Sequence, residues 1–315
     1  GLTFKICAFT NLTHEHLDFH QTFEAYYQAK KSLFQHHSTP DSVWVLPLES
    51  DVGRRLCHEL KDDGNQKITW GFTPEADVAV SELHLHSQGM KMQLCLPGTT
   101  FTAFIPWLGR FNAENIACIV ACAVALGFTG TDIQKGLQDL KAPPGRMQIV
   151  NHSSAVDGPT VIVDYAHTPD ALENALATVK EVCDGDVWVV FGCGGDRDKA
   201  KRPLMGDVAL KGADRIIITN DNPRTESPEK IAIEIESALS KEARRMDKVE
   251  LLEKGSYCVQ LNRESAISET IRHADLKDMV LIAGKGHETQ QIVGDKISVF
   301  DDVSVARKAL EKRLT

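Results

Sequence analysis

The chain has 315 residues, of which 42% are hydrophobic and 25% are charged, and its formal net charge is −9. This composition is typical of a globular protein with enough apolar side chains for about two domain cores. The negative charge argues against nonspecific binding to nucleic acid or to an anionic membrane surface. No apolar run of about 18 residues, the length of a membrane-spanning helix, occurs in the sequence.

Cysteine usage and the first residues bear on the cellular location. The eight cysteines include no CxxC pair, which favours reduced thiols over a disulfide framework. The first residues lack the charged, apolar and small-residue order of a signal peptide. We therefore expect a cytoplasmic protein. Because a strand pattern follows Gly1 closely and no methionine precedes it, we also expect the chain to begin inside a domain.

Residues 1–144 mix predicted strands and helices, and we expect them to form one domain. In chain order, the predicted elements are a strand over 5–12, a helix over 22–35, a strand over 43–47, a β-rich segment over 77–106 with turns at Gly89 and Pro97-Gly98, and helices over 112–126 and 131–140. The Pro/Gly-rich string APPGR at 142–146 then marks the best domain boundary.

Residues 145–315 alternate cleanly between apolar strand-like runs and helical stretches. The predicted strands are 160–165, 187–191, 215–219, 249–253 and 279–284, and the predicted helices are 169–182, 201–211, 228–244 and 263–274. This alternation is typical of βαβ units and a mostly parallel sheet. Four of the strands run into polar or glycine-rich loops, and ligands of such sheets bind beyond the carboxyl ends of the strands.

The loop GCGGDRDKAK at 192–201 lies between a predicted strand and a predicted helix. Its glycines allow backbone N–H groups to approach an anion, and the start of the following helix adds partial positive charge. Arg197, Lys199 and Lys201 add full charges. A flexible, solvated turn is the alternative interpretation.

The string DNPR at 221–224 follows the third of these strands. Pro223 restricts its own φ and the backbone of Asn222, so the loop is stiff. Arg224 can present a planar fork to a carboxylate, and Asp221 and Asn222 can accept an ammonium group, which together suits a zwitterionic amino acid. An Asx turn before a helix explains the same residues.

Two further strings contain candidate ligand-binding groups. GKGHE at 284–288 combines two glycines with Glu288, which can accept a hydrogen bond from an ammonium group. NLTHEHLD at 11–18 follows a strand and contains His16, a candidate ligand for a divalent ion, although the local sequence by itself favours a polar surface loop. Lys30, on a predicted helix, is by itself an ordinary solvated lysine.

Taken together and in this order, these strings resemble the Mur ligase family. The resembling strings are FTNLTHEHLDFH, EAYYQAKKSLF, GRFNAENIACIVA, APPGRM, DYAHTPDALENAL, VFGCGGDRDKAKRPLMG, DNPRTESP and AGKGHE, which span residues 9–288. Single strings are modest signals, but eight in collinear order are highly specific. The resemblance is strongest to the members that add diaminopimelate.

The resemblance implies an α/β fold in which the remainder of a P-loop-type central ATPase domain, residues 1–144, precedes a Rossmann-like C-terminal domain, residues 145–315. No GxxxxGK[ST] string occurs in the sequence. The family's P-loop, and a glutamate that helps to hold magnesium, are therefore expected upstream of Gly1. We accordingly expect this chain by itself not to use ATP.

The implied activity is ATP-dependent addition of meso-diaminopimelate to UDP-N-acetylmuramoyl-L-alanyl-D-glutamate in peptidoglycan biosynthesis, through an acyl phosphate, by a monomer that uses Mg²⁺. The residue roles implied by position are catalysis and magnesium binding for His16 and for Lys30 as a carbamate; ATP binding for Asn112, Asn115, Arg146, Asp164 and His167; and diaminopimelate binding for Arg197, Asp221, Asn222, Arg224, Gly284 and Glu288.

Two other interpretations stay open. One is a different ligase on the same scaffold, another Mur ligase or a folylpolyglutamate synthetase-type enzyme, against which DNPR and DYAHTPD argue. The other is a truncated, non-catalytic domain that retains only amino-acid affinity.

Overall fold

The computed structural model describes residues 1–12, 17–60, 64–150, 158–239 and 242–313. The chain divides into two compact units. Unit 1 comprises Gly1–His84, Met90–Ile105 and Gly109–Leu140, and unit 2 comprises Leu85–Gly89, Pro106–Leu108 and Lys141–Thr315. No helix in the described residues combines the length and the apolar character that crossing a membrane requires.

Unit 1 is built on a six-stranded sheet with the order β1-β2-β3-β4-β5-β6. β1 to β4 pair in parallel, whereas β5 and β6 are antiparallel. Its elements, in chain order, are β1 (Phe4–Ala8), α1 (Leu17–His20), α2 (Phe23–His36), β2 (Ser38–Pro47), α3 (Asp51–Glu59), β3 (Gln66–Gly71), β4 (Val78–His86), β5 (Gly89–Leu96), β6 (Thr99–Ile105), α4 (Arg110–Ala125) and α5 (Gly130–Gln138).

Helix α2 shows how the sequence produces an element of unit 1. It begins after Thr22, whose hydroxyl accepts a hydrogen bond from the backbone N–H of Ala25. It buries Tyr27 and Phe34, and the Phe34 ring meets Trp44 of β2 edge-on at 5.9 Å. The helices expected over 22–35, 112–126 and 131–140 and the strands expected within 77–106 are confirmed, with slightly different bounds.

Unit 2 is built on a seven-stranded sheet with the order β11-β12-β10-β9-β13-β8-β7, in which only the short edge strand β7 is antiparallel. Its elements, in chain order, are β7 (Gln148–Ile149), β8 (Thr160–Asp164), α6 (Pro169–Val182), β9 (Val187–Phe191), α7 (Lys201–Gly212), β10 (Arg215–Ile218), α8 (Pro228–Leu239), β11 (Arg244–Arg245), a 3₁₀ turn (Val249–Leu251), β12 (Ser256–Val259), α9 (Arg263–His273), β13 (Met279–Ala283), β14 (Gln290–Val293), β15 (Lys296–Val299) and α10 (Asp302–Lys312). The predicted mostly parallel sheet is confirmed.

The central strands of this sheet are buried on both faces, which explains their continuous apolar sequences. In β9, Val189 and Phe191 face the core beneath α6, α7 and α8, while Trp188 and Val190 face the core beneath α9 and α10. A buried ion pair stands at the edge of the second core. Arg263 of α9 holds Asp302 of α10 at 2.7 Å, and both side chains are fully buried.

The prediction of a strand over 249–253 is wrong. The segment forms a 3₁₀ turn, and the strand lies at β12 instead. Val249 and Leu252, three residues apart, are its buried side chains, and the N–H of Leu252 donates to the carbonyl of Val249. A spacing of three suits a 3₁₀ turn and not the period of two that a half-buried strand requires.

Candidate functional site

The four central strands of unit 2 point their carboxyl ends at the same edge of the sheet, because β10, β9, β13 and β8 are neighbours and all parallel. We name the segments that follow them the β8 loop (165–168), the β9 loop (192–200), the β10 loop (219–227) and the β13 loop (284–289). These are the polar and glycine-rich segments that the sequence analysis singled out, and they lie together as expected.

The β10 and β13 loops are joined by side chains. Asn222 donates from Nδ2 to Oε2 of Glu288 over 2.8 Å. Lys285, fully buried, donates to the same Glu288 oxygen at 3.2 Å and to Oδ1 of Asn222 at 3.2 Å. Asp221 lies beside this group, with Oδ1 3.9 Å from Nζ of Lys285. Four residues from two loops that are far apart in sequence thus form one charged cluster.

Asp221 and Gly284 are in close contact. Gly284 has φ +115, and a Cβ atom at this position would lie 2.9 Å from Oδ2 of Asp221. The strand-to-loop bend after β13 therefore requires glycine. Burial raises the pKa of the Asp221 carboxyl, against the opposing effect of the nearby Arg263 and Lys285 cations.

Arg224 has a left-handed backbone, with φ +51. Its N–H donates to the carbonyl of Ile292 at 3.1 Å, and its carbonyl accepts from the N–H of Gly294 at 2.6 Å, so the hairpin of β14 and β15 holds it. Its Nη1 donates to the carbonyl of Gly195 at 2.8 Å. Among the described residues, Nε and Nη2 of Arg224 have no hydrogen-bond partner, which leaves part of the guanidinium for a ligand.

The same hairpin also fixes the two residues before Pro223. Nε2 of Gln291 donates to the carbonyl of Asp221 at 3.0 Å, and the N–H of Ile292 donates to Oδ1 of Asn222 at 3.0 Å. The hairpin was not predicted from the sequence, yet it supports the whole DNPR string.

The β9 loop packs directly on the β10 loop. A Cβ atom on Gly195 would lie 1.9 Å from the carbonyl oxygen of Pro223, so only glycine allows this approach. A Cβ atom on Gly194 would lie 3.0 Å from Nη1 of Arg224 and 3.7 Å from Cγ of Arg197. Arg197, which is exposed, is thereby brought to the same edge as Arg224.

A buried arginine clamps these two loops together. Arg202 of α7 pairs with Glu226 at 2.9 Å and with Glu234 at 2.8 Å, and its side chain is fully buried. The Arg202 guanidinium and the N–H of Asp196 hold the pKa of Glu226 down at about 2. The exposed Lys199, which the sequence analysis assigned to anion binding, instead contacts Glu226 at 3.1 Å.

A second cluster surrounds Tyr165 in the β8 loop. The Arg146 guanidinium lies 4.8 Å from the centre of its ring, and the rings of His167 and His287 lie at 4.6 and 5.3 Å. Asp164 accepts hydrogen bonds from the backbone N–H groups of Met147, at 2.7 Å, and Ala166, at 2.8 Å. Three of the predicted ATP-contacting residues, Arg146, Asp164 and His167, are thus brought to one place.

His167 has a defined ring orientation in this cluster. Its Nδ1 lies 2.9 Å from the carbonyl oxygen of Tyr165, which can only accept a hydrogen bond. Nδ1 therefore carries the proton, and Nε2 is the acceptor of the neutral ring. Lys201, which the sequence analysis placed among the anion-binding cations, donates to the carbonyl of His167 at 2.7 Å.

The remaining predicted site residues belong to unit 1. Lys30 of α2 donates from Nζ to the carbonyl of Asn11 at 2.8 Å and lies 4.9 Å from the centre of the Tyr26 ring. It borders a cavity of about 420 Å³. In α4, Nδ2 of Asn115 donates to Oδ1 of Asn112 at 3.2 Å.

His16 lies outside the described residues. Within the described ranges, no group of three or more histidine, cysteine, aspartate or glutamate side chains is arranged to hold a metal ion.

Sequence reasoning missed Lys285 and Arg202 as parts of the site. Each stands within a string that was noticed, Lys285 in GKGHE and Arg202 in VFGCGGDRDKAKRPLMG, but a lysine or arginine in a polar string is normally solvated. The repeated glycines flanking Lys285 were the one available signal, since they allow the backbone to fold tightly around it.

Comparison with known proteins assigns both parts of the chain to one protein family. The sequence profile of the Mur ligase middle domain matches residues 1–124, and that of the Mur ligase glutamate ligase domain matches residues 145–286. The chain is 38% identical over 312 residues to UDP-N-acetylmuramoyl-L-alanyl-D-glutamate–2,6-diaminopimelate ligase 1 of Clostridium acetobutylicum. It is 39% identical over 318 residues to the corresponding ligase of Geobacillus kaustophilus.

These alignments cover 99% of this chain but only 60% and 62% of the two relatives, so the chain spans about three fifths of their length. A solved structure of a UDP-N-acetylmuramoyl-L-alanyl-D-glutamate–2,6-diaminopimelate ligase superposes with a TM-score of 0.71 at 34% identity. It is matched over 99% of this chain and 61% of that one. A ligase from Thermotoga maritima in complex with ADP, 16% identical and with a TM-score of 0.62, shares the fold over 99% of this chain and 63% of its own.

Proposed function

The chain belongs to the Mur ligase family, whose middle and C-terminal domains it contains, and we propose that it supplies the amino-acid site of an ATP-dependent amide ligase. The reaction proposed is the addition of meso-diaminopimelate to UDP-N-acetylmuramoyl-L-alanyl-D-glutamate. The substrates named for relatives at 38 and 39% identity support this substrate pair.

One observation carries the proposal. The edge of the unit 2 sheet presents an arginine fork at Arg224 beside an acidic cluster of Asp221 and Glu288. An amino acid has both a carboxylate and an ammonium group, and such a pair of opposite charges is complementary to it. Diaminopimelate has one such pair at each end, so its distal end can be held here while the other end reacts.

Each side chain of this edge has a role. Arg224, with Arg197 close by, binds the distal carboxylate, and Glu288 and Asp221 accept the distal ammonium. Asn222 and Gly284 shape the pocket, Asn222 by holding Glu288 and Gly284 by giving Asp221 room. Lysine has the ammonium group but lacks the distal carboxylate, so it would leave the arginine fork unpaired.

Mur ligases generally use ATP and Mg²⁺. In this chain we assign nucleotide contacts to Arg146 and His167, with Asp164 fixing the β8 loop, and further contacts to Asn112 and Asn115 of unit 1. Arg146 is exposed and makes no side-chain hydrogen bond among the described residues, so its guanidinium is available to a phosphate.

Lys30, as a carbamate, and His16 are the candidate magnesium ligands. A lysine ammonium cannot bind a cation, whereas a carbamate offers the hard oxygen donors that magnesium prefers. Lys30 fits this role because it borders an open cavity close to the segment that follows β1. Magnesium held by these two residues would neutralise charge on the transferring phosphoryl group.

The proposed chemistry has two steps. ATP transfers its γ-phosphoryl group to the terminal carboxylate of the peptide, which gives an acyl phosphate and ADP. The free amine of diaminopimelate then attacks the acyl carbon, loses a proton, and displaces inorganic phosphate to form the amide. The contribution of this chain is to hold the distal end of the amino acid and to neutralise phosphate charge with side-chain cations.

The test of the amino-acid site is an NMR titration of the isotope-labelled chain with meso-diaminopimelate, L-lysine and L-alanine. We expect amide shifts at Asn222, Arg224 and Glu288 with diaminopimelate, weaker ones with lysine, and none there with L-alanine, which has no distal end. Shifts that are equal for all three ligands, or that lie elsewhere, would contradict the proposal.

The test of Lys30 uses a chimera in which this chain replaces the matching three fifths of the Geobacillus kaustophilus ligase. Lys30→Ala should abolish ligation, and a short carboxylic acid should restore part of it by replacing the carbamate. Lys135→Ala, an exposed lysine on α5, is the matched control and should keep full activity. Full activity of Lys30→Ala would contradict the assignment of Lys30 as a magnesium ligand.

A further inference from the structure

We propose that Lys285 is a positioning residue of the amino-acid site, which orients Glu288 and Asn222 without touching the ligand itself. This inference rests on the proposed function, because it concerns how the same site is made ready for its amino acid. It adds a residue that neither the sequence motifs nor the comparisons assign.

All three N–H groups of the Lys285 ammonium are used inside the protein. They donate to the carbonyl of Gln290 at 2.7 Å, to Oδ1 of Asn222 at 3.2 Å and to Oε2 of Glu288 at 3.2 Å. An ammonium group has three donors and no acceptor. Because the side chain is also fully buried, Lys285 has nothing left with which to bind a ligand.

The contacts of Lys285 determine which way the Asn222 amide faces. Oδ1 of Asn222 accepts from Lys285 and from the N–H of Ile292, so both of its lone pairs are occupied. Nδ2 is therefore directed at Glu288, to which it donates over 2.8 Å. With the Lys285 ammonium removed, Oδ1 would keep only the N–H of Ile292 as a donor among the described residues, so the amide would be held less firmly in this orientation.

The two carboxylate oxygens of Glu288 consequently have different hydrogen-bonding roles. Oε2 takes both internal hydrogen bonds, from Asn222 and from Lys285. Among the described residues nothing donates to Oε1, and the side chain keeps 36% of its accessible surface. The oxygen left for the ligand ammonium is thus Oε1, held in place through its partner.

Lys285 also balances charge at this point. Asp221, with Oδ1 3.9 Å from the ammonium, and Glu288 are both carboxylates, and a second cation, Arg263, is engaged by Asp302. Without Lys285 the two site carboxylates would repel each other across the place where the amino acid binds. A cation that was only filling the core would not need three acceptors from three different segments.

The experiment is a double-mutant cycle on meso-diaminopimelate affinity, measured by NMR titration of the 315-residue chain. The variants are Lys285→Met, which keeps the length of the side chain without its charge, Glu288→Gln, and the two together. Lys308→Met, an exposed lysine on α10, is the control for loss of one positive charge. We expect Lys285→Met to weaken binding about ten- to a hundred-fold, the effect of losing one charge-assisted contact.

Because Lys285 acts through Glu288, the double variant should bind no more weakly than Glu288→Gln alone. Lys308→Met should bind as the unmodified chain does. In a second variant, Lys285→Ala, added propylammonium should restore affinity, whereas 1-propanol, of the same shape but uncharged, should not. This last comparison separates charge from packing and remains informative if Lys285→Met is unstable.

The outcomes are distinct. Unchanged affinity in Lys285→Met, additive losses in the double variant, or rescue by 1-propanol as well as by propylammonium would each overturn the positioning role and leave the amino-acid site standing. Failure of the unmodified chain to bind meso-diaminopimelate at all would overturn the site and the inference together.

Discussion

Asn222 and Glu288, 66 residues apart in the sequence, share a 2.8 Å hydrogen bond that joins the β10 loop to the β13 loop. This contact places a carboxylate beside the arginine-bearing DNPR string. The site is therefore assembled from segments that only the parallel order of β10, β9 and β13 brings together.

Glu288→Gln should weaken binding of both meso-diaminopimelate and L-lysine about ten- to a hundred-fold. Both amino acids place an ammonium group at this end, and the amide removes the negative charge that accepts it. The measurement is the dissociation constant from NMR titration of the chain. Glu311→Gln, an exposed glutamate on α10, is the control. A loss confined to diaminopimelate would show that Glu288 does not receive the shared ammonium.

Gly284→Ala should lower both stability and affinity. The added Cβ would meet Asp221 Oδ2 at 2.9 Å, and the backbone at φ +115 disfavours any side chain. A residue forced into such a conformation costs about 1–3 kcal/mol, and the displaced carboxylate adds to the loss of affinity. Urea unfolding and the diaminopimelate titration measure the two effects.

Gly255→Ala is the matched control for this substitution. Gly255 also has a positive φ, +78, but an added Cβ would meet nothing within 4 Å. It should therefore lose stability without losing affinity. Equal affinity of Gly284→Ala and Gly255→Ala would show that the Asp221 contact does not matter for the site.

Glu226→Gln should make the chain less stable near neutral pH, with a difference that shrinks in acid. The pKa of Glu226 is lowered in the folded protein from its ordinary 4.5 to about 2, chiefly by the Arg202 hydrogen bonds. A lowered folded-state pKa stabilises the protein above the unfolded-state pKa, and this stabilisation is lost as the pH falls toward the folded-state value. The stabilisation by Glu226 is therefore lost as the pH falls from about 4.5 to about 2.

The measurement is the urea midpoint of both proteins from about pH 7 to about pH 3. Glu253→Gln is the control, since Glu253 pairs with Arg244 at 3.6 Å with both side chains about 70% exposed. It should change the midpoint little at any pH, as expected of an exposed pair. If the difference in urea midpoint between Glu226→Gln and the unmodified chain stayed constant with pH, the stabilising role of the Arg202–Glu226 ion pair would be contradicted.

Much of the unit 2 sheet was predictable because short stretches of sequence determine its strands. The apolar runs of β8, β9, β10 and β13 and the polar residues after them predicted a parallel sheet with a ligand site at one edge. The error at 249–253 also has a local cause, since an apolar run of that length fits a strand or a turn until its buried side chains are known.

The parts of the site that escaped prediction depend on distant residues. Lys285 is buried only because Asn222, Glu288 and Gln290 supply its acceptors, and two of these lie on other segments or beyond the motif. Arg224 has a left-handed backbone conformation because its N–H and carbonyl form hydrogen bonds with Ile292 and Gly294 of the hairpin. Asn222 and Gln290 lie outside the GKGHE string, and Ile292 and Gly294 lie outside DNPR, so no periodicity or motif within either string encodes these partners.

Arg224→Ala tests the assignment of the amino-acid site most directly. Dissociation constants for meso-diaminopimelate and L-lysine are measured on the unmodified chain, on Arg224→Ala and on Arg307→Ala, an exposed arginine of α10 that serves as the control. Because only diaminopimelate has the distal carboxylate, we predict that Arg224→Ala loses about ten- to a hundred-fold in affinity for it and little for lysine. Equal losses for both amino acids, or no loss for either, would contradict the assignment.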